Sequence, residues 1–508
     1  MRNKFISYTL LSIVLFLVSC GKDTEYSKII PADVDMVAAF DCERIMKESG
    51  LLNTTPNDSQ AEFKAMLQKN LSAGEEELLD KIFSNPQEVG VDWTRKVYSF
   101  VPTDKQVIAF LFPISDINKL KNSIQTFAGK RLKGKSFGDE GNYSSAVIDR
   151  SLVAVTDQAC LILSPTQRIN INELKEIASS WLDQTDKASF VSTDYHDMLL
   201  DLDGEIGVFA SMKSLPENIS VMASMAYPED MDIRRMNYLM EVSFEKGKLV
   251  ADGKLLFEDE KLRDWFKNNI RASKRLKGSS LSSLPKSTPL WMGIGLKGDD
   301  LFDIISEHPV YGKELEKMRL PFDLEGVVRS INGDFSFAFP HGLFVDVEND
   351  EILKICVGGI TTMGRFIGID LNEIGKDQYQ LIDGSRSVSR FLGKEVDLQM
   401  GMKDDSFYLV TDGKAMNSLS KEETLASAPW ADDVDDNVFF TAYNFQTATD
   451  LTNKYTNSRK QRDILLNYFD YITYAQKDFE NNQFILSFVN QERNVIEQLI
   501  ELYVMKIK

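Results

Sequence analysis

The stretch Phe244-Glu-Lys-Gly-Lys-Leu-Val-Ala-Asp-Gly-Lys-Leu-Leu-Phe257, running on into Glu258-Asp-Glu-Lys-Leu-Arg-Asp-Trp-Phe266, decides how this chain is read. Leu249, Ala251, Leu255 and Phe257 share one side of the outgoing segment, and Asp252, Lys254 and Glu258 share the other. A period of two with a single apolar side describes a strand lying on a core. Lys246-Gly247 supplies the positive φ that a tight hairpin turn requires. The same hairpin and helix recur near the end of the chain, as Phe479-Glu-Asn-Asn-Gln-Phe-Ile-Leu-Ser-Phe488 followed by Asn490-Gln-Glu-Arg-Asn-Val-Ile-Glu-Gln-Leu499. There the turn is expected at Asn481-Asn482, and Phe484, Leu486 and Phe488 repeat the apolar face.

Working outward, further echoes appear in unchanged order. Ile29-Ile-Pro-Ala-Asp-Val-Asp-Met-Val-Ala-Ala-Phe-Asp41 has the design of Leu284-Pro-Lys-Ser-Thr-Pro-Leu-Trp-Met-Gly-Ile-Gly-Leu296, with Pro31 and Pro285 in matching places before the strand. A missing N–H costs least there. Gly90 to Phe100 echoes Gly326 to Phe337, and Val155 to Leu163 echoes Met402 to Val410, with turns at Asp157-Gln158 and Asp404-Asp405. Gly204 to Ser211 parallels Asp436 to Tyr443. The order implies a tandem duplication, with modules at about 29–278 and 283–508, joined by the Ser/Gly-containing segment Lys274–Pro285. Strand and helix patterns interleave without a βαβ rhythm, so each module is expected to be α+β: a mainly antiparallel sheet with helices on one side.

The chain has 508 residues, 43% of them hydrophobic, enough for more than one core. Its formal charge is −19. An acidic surface of this kind excludes nucleic-acid binding, which relies on basic faces.

Residues 1–20 are the most specific segment. Arg2 and Lys4 precede a short apolar run, Leu10 to Val18, which is the pattern of a secretory signal. The run ends Leu17-Val18-Ser19-Cys20, which resembles a bacterial lipobox. Residues 1–19 then read as a lipoprotein signal peptide and 20–28 as a polar tether. Lys22-Asp23-Thr24-Glu25 resembles the acidic export signals of Bacteroidetes surface lipoproteins. Removing residues 1–19 would take Arg2 and Lys4 and no acid, leaving −21. Cys42, Cys160 and Cys356 are too few for a disulfide framework and read as buried apolar residues in strand-like runs.

With the lipobox, the Ile30-Pro-Ala-Asp33 opening strand, the Lys47-Glu-Ser-Gly-Leu51 helix end and the two α+β halves, the chain resembles a Bacteroidetes lipoprotein family known only as domain of unknown function 4836. The resemblance implies lipid on Cys20 and attachment to the outer membrane on its periplasmic or external side; its motifs are structural, so it carries over no catalytic residues.

Motifs with chemistry are scarce. His196, His308 and His341 sit in no zinc-binding pattern, and no cofactor signature is present. Gly359-Ile-Thr-Thr-Met-Gly364 lacks the Lys and hydroxyl of a phosphate loop, so its glycines are read as relieving a crowded strand. Two acidic clusters, Asp201–Glu205 and Asp432–Asn437, are incomplete as calcium loops. Trp430 beside Asp432, Asp433, Asp435 and Asp436 gives a candidate glycan- or calcium-binding site, if its ring faces solvent rather than the core. A hydrolase using two carboxylates brought together only by folding leaves no mark in a sequence. The leading expectation is a non-enzymatic envelope protein that binds a protein partner.

Overall fold

Ten strands run through the first part of the chain: β1 (Val34–Phe40), β2 (Val97–Pro102), β3 (Val107–Pro113), β4 (Leu132–Asp139), β5 (Ser144–Ile148), β6 (Ser151–Val155), β7 (Ala159–Pro165), β8 (Ile206–Ser211), β9 (Met236–Phe244) and β10 (Lys248–Phe257). Helices α1 (Cys42–Glu48), α2 (Asp58–Gln68), α3 (Ala73–Ser84), α4 (Ile117–Ala128), α5 (Ile171–Leu182) and α6 (Asp194–Leu200) lie between them. This computed structural model describes residues 26–52, 57–69, 71–214, 231–308, 311–318, 322–383, 390, 396–413, 419–448 and 459–507. The chain divides into two compact units, 1–259 with 491–508, and 260–490.

In the first unit the strands pair antiparallel in the order β10-β9-β8-β1-β2-β3-β7-β6-β5-β4. The helices start where the sequence supplies caps. Ser72 and Glu75 form a capping box on α3, and Asp116 accepts from the amides of Asn118 and Lys119 at α4. Along α5, Leu174, Ile177, Ala178 and Trp181 recur at helical spacing and are all buried.

Helices cover both faces of this sheet, not one. Leu152 and Ala154 of β6 share a core with Leu174 and Trp181, while the alternate residues Val153 and Val155 pack with Leu78 of α3 and Leu120 of α4. The cause is visible in Leu152-Val-Ala-Val155 and Cys160-Leu-Ile-Leu163, continuous apolar runs that need cover on both sides.

The second unit carries β11 (Leu290–Lys297), β12 (Ile331–Phe339), β13 (Gly342–Val347), β14 (Ile369–Gly375), β15 (Gln378–Asp383), β16 (Leu398–Lys403), β17 (Ser406–Val410), β18 (Phe439–Asn444), β19 (Phe469–Gln476) and β20 (Asn481–Phe488). Its helices are α7 (Glu260–Asn269), α8 (Gly298–Glu307), α9 (Tyr311–Lys317), α10 (Leu324–Ser330), α11 (Glu351–Ile367) and α12 (Arg459–Tyr468). The strand order is β20-β19-β18-β11-β12-β13-β17-β16-β15-β14, again antiparallel throughout. Counted from the start of each unit, it is the order of the first. Both faces are covered here too: Phe344 lies with Trp291 and Phe440, and Val345 with Leu353 and Met400.

The last helix, α13 (Val495–Ile507), belongs to the first unit, where Tyr503 meets Phe63 of α2 edge-on. The first unit closes at Asp259, so α7 belongs to the second. The unit boundaries therefore do not fall at Lys274–Pro285. That segment is built into the second unit: Leu276, Leu281 and Leu284 are buried, and the Lys274 amide donates to Gly295 O at 2.9 Å. Gly295 permits the approach, since a Cβ there would stand 2.0 Å from Lys274 O.

Three local expectations change. Gly247 turns the β9–β10 hairpin at φ +68° as expected, but the β19–β20 turn falls on Lys477–Glu480, with Asn481 and Asn482 already in β20. The Asp478 carboxylate fixes it by accepting from the amides of Glu480 and Asn481, both at 2.8 Å. Gly358, Gly359 and Gly364 lie within α11, not in a strand. Cys42 opens α1 and Cys356 sits in α11, so only Cys160 is a strand residue.

Candidate functional site

Trp430 is in the core of the second unit. Its ring stacks on Phe440 at 5.7 Å and on Trp291 at 6.1 Å, and only 2% of the residue is exposed. Its Nε1–H meets no partner among the described residues. The short turn Ala431–Asp433 then carries the chain out, with Asp432, Asp433, Asp435 and Asp436 exposed and Val434 buried between them. Asp436 pairs with Arg275 at 2.9 Å. The indole presents no face to solvent, and among the described residues no three acidic, histidine or cysteine side chains converge as a metal site.

The other acidic cluster is split by folding. Glu205 turns inward and is fully buried, with Oε2 accepting from the Phe244 amide at 2.7 Å and Oε1 2.5 Å from Arg44 Nε. Arg44 also donates to the Asp203 carbonyl. A guanidinium occupying the middle of the cluster opposes a cation there.

Folding brings together a carboxylate pair that no sequence spacing announces. Asp334 of β12 and Asp346 of β13 both accept from Ser279 Oγ, Asp334 at 3.3 Å and Asp346 at 3.0 Å. Asp334 also takes the amides of Lys277 and Ser279, at 2.9 and 3.0 Å. Burial raises its pKa above the ordinary carboxylate value, and the Asp346 charge adds to the rise. The pair serves the backbone of residues 277–279, which is an anchoring role.

A second constellation missed in the sequence is Ser27, His196 and Asp197. Ser27 Oγ lies 3.3 Å from His196 Nε2, and His196 Nδ1 lies 3.1 Å from Asp197 Oδ1. The order of groups is that of a hydrolytic triad, but the surroundings are not. Ser27 and His196 are buried with no room for a substrate, and Asp197 faces solvent at 84% exposure, where a triad acid is enclosed. The imidazole instead pins residue 27 to α6. His308 closes α8, and its Nδ1 accepts from the Tyr311 amide at 3.3 Å.

Among the described residues, burial holds the thiols protonated. Burial pushes Cys160 up to about 12 and, with help from Asp41, Cys42 up to about 11.

Space for a partner exists in the second unit. A groove of about 600 Å³ runs beside α8, α9 and α10, with Phe302, Leu315, Met318 and Phe322 on its walls and Glu316, Asp323 and Glu325 at its polar positions. Arg329 holds α10 against α8, pairing with Glu325 and Asp303 at 2.8 Å while its guanidinium lies over the Phe302 ring at 4.7 Å. Met318, Tyr311 and Phe322 are 58%, 51% and 39% exposed, an unusual concentration of large apolar side chains in water.

The fold is that of an α+β protein of two ten-strand antiparallel units. The chain belongs to the family described as Domain of unknown function (DUF4836), whose model matches residues 26–496. No curated protein matches it. Among solved structures, crystal form I of TP0453 is similar with a TM-score of 0.25 and 8% identity, over 49% of this chain and 86% of that one. Among the described residues no helix is long and apolar enough to cross a membrane. Cys20 lies outside the described residues.

Proposed function

We propose that this is a non-enzymatic lipoprotein of the cell envelope, held at the outer membrane by lipid on Cys20, whose duplicated body binds a protein partner through the groove beside α8, α9 and α10. The exposed apolar wall of that groove carries the reading, because large apolar side chains grouped in water mark interaction surfaces. Its three carboxylates favour a partner with an apolar anchor flanked by basic side chains. The duplication rests on the common strand order and on matching hydrogen bonds. Ala32 N donates to Ala188 O and Phe190 N to Ile30 O in one unit; Lys286 N donates to Glu423 O and Leu425 N to Leu284 O in the other. Pro31 and Pro285 each form the bridge beside these bonds, with Ser189 and Thr424.

The test is co-purification of the lipidated protein from its own envelope, beside Met318→Lys and Phe322→Asp. A stoichiometric partner held by the parent chain and released by both substitutions is the expected result. Recovery of the same proteins by all three, or of none by the parent, would contradict it.

A further inference from the structure

The chain is fixed to the body almost immediately after Cys20. Tyr26 is 1% exposed, with its hydroxyl donating to Lys96 O at 2.5 Å, its ring 5.8 Å from that of Tyr98, and the Arg95 guanidinium 4.1 Å over its face. Ser27 is held by His196, and Ile29 and Ile30 are buried in the main core of the first unit. The expected polar tether of residues 20–28 is therefore shorter than its composition suggests: from Tyr26 onward the chain belongs to the folded body. Five residues, Gly21 to Glu25, remain between Cys20 and Tyr26. Whatever their conformation, six Cα–Cα steps reach at most roughly 22 Å.

Tyr26 is attached at one end of the first unit's sheet. Lys96 precedes β2, whose first residue, Val97, pairs with Phe40 at the close of β1, and Glu205 precedes β8 at the same end. The opposite end of β1 and β2 is the Val34–Pro102 pair and the Thr103–Gln106 loop. Strand β2 separates the two ends by roughly 20 Å, which uses up nearly the whole reach of the tether before any body thickness is crossed.

We infer that the first unit stands on the bilayer, with the end formed by Trp93–Lys96 and the β1–α1 junction facing the lipid surface and the Thr103–Gln106 loop facing away. The inference rests on lipid at Cys20. Its occupant is the membrane surface, chosen by where Tyr26 is fastened to the sheet and by the five residues that separate it from Cys20. The apposed end carries Arg95, Lys96 and Arg44 together with Asp41 and Glu48, a mixed-charge surface that is not strongly repelled by headgroups.

The test uses the full lipidated protein in vesicles bearing a headgroup-attached quencher. A fluorophore is placed through Thr94→Cys or Asp104→Cys, both exposed positions, in a chain with Cys42→Ser and Cys356→Ala. The label at 94 is expected to be quenched several-fold more than the label at 104. Inserting a flexible twenty-residue Gly/Ser segment after Gly21 adds roughly 70 Å of reach; it is expected to equalise the two labels while the protein still floats with the vesicles. The mass of Cys20 is read on the same samples. An unmodified thiol removes the anchor and this inference together. An acylated Cys20 with equal quenching at 94 and 104 before insertion, or a difference that survives it, overturns the orientation and leaves the anchor standing.

Discussion

The two units trace the same ten-strand path but fill one corner of it with different chemistry. Counting from the matched bonds of Ile30 and Leu284, Ser27 stands where the second unit has Leu281, and Tyr26 where it has Ser280. Counting from Phe190 and Leu425, Tyr195 matches Trp430 and His196 matches Ala431. In the second unit Leu281, Trp430 and Ala431 make an apolar corner. In the first, the same positions form a polar clamp, with His196 on Ser27 and the Tyr195 hydroxyl accepting from Asn237 Nδ2 at 2.8 Å. The fold does not need the Ser–His pair, since it is made equally well without one. The pair appears in the unit whose first described residues lie nearest in sequence to the proposed anchor.

The largest effect that sharpens this contrast is expected from Trp430→Ala, which empties a fully enclosed ring site and costs about 3–5 kcal/mol. Tyr195→Ala, at the matched but half-buried position, should cost about half as much or less. Urea unfolding of both variants measures the difference, and equal costs would break the comparison. Next comes His196→Ala, which leaves the buried Ser27 hydroxyl without its imidazole and should cost about 1–3 kcal/mol. Importing the second unit's pair whole, Ser27→Leu with His196→Ala, should cost less than the two single changes added together, because the two side chains touch. A double variant as unstable as the sum of its parts would show that the corners are not interchangeable.

Asp334, which stands in the second unit where Lys96 stands in the first, gives a smaller effect that depends on pH. Its folded pKa lies above its unfolded one, so the folded state holds the proton more tightly. Its contribution is fully present below the unfolded value of about 4 and is lost as pH rises through the elevated folded value. The cost of Asp334→Asn should therefore shrink between pH 4 and neutrality; a cost that grows would contradict the burial argument. The smallest effect is kinetic. At neutral pH Cys160 should resist thiol reagents until the protein unfolds, and Cys42 should react slowly, followed by mass spectrometry.

Most helices and the strand repeats were legible because their signals are local. Asn170, Asp116 and Ser72 each accept from the first turn of the helix they open, so near neighbours set those starts. What escaped depends on long-range contact. The second helical layer had its trace in the unbroken apolar runs of β6 and β7, whose period was overruled by cleaner alternation elsewhere. The β19–β20 turn slipped because Asp478, not the Asn pair, organises the backbone. Ser27 and His196 are separated by 169 residues and Ser279 and Asp346 by 67, so no spacing rule could have joined them. The matched turns Asp186–Ser192 and Lys421–Ser427 are identical at one aligned position, Ser192 with Ser427, and are matched by their hydrogen bonds.

The most direct test of a single fold present twice is an experimental structure of residues 26–508 in which 26–259 is superposed on 280–490. Ten strands overlaying in one order, with Pro31 on Pro285 and Phe190 on Leu425, is the predicted result. A different strand order in either half, or a Pro285 bridge that does not coincide with that of Pro31, would contradict it.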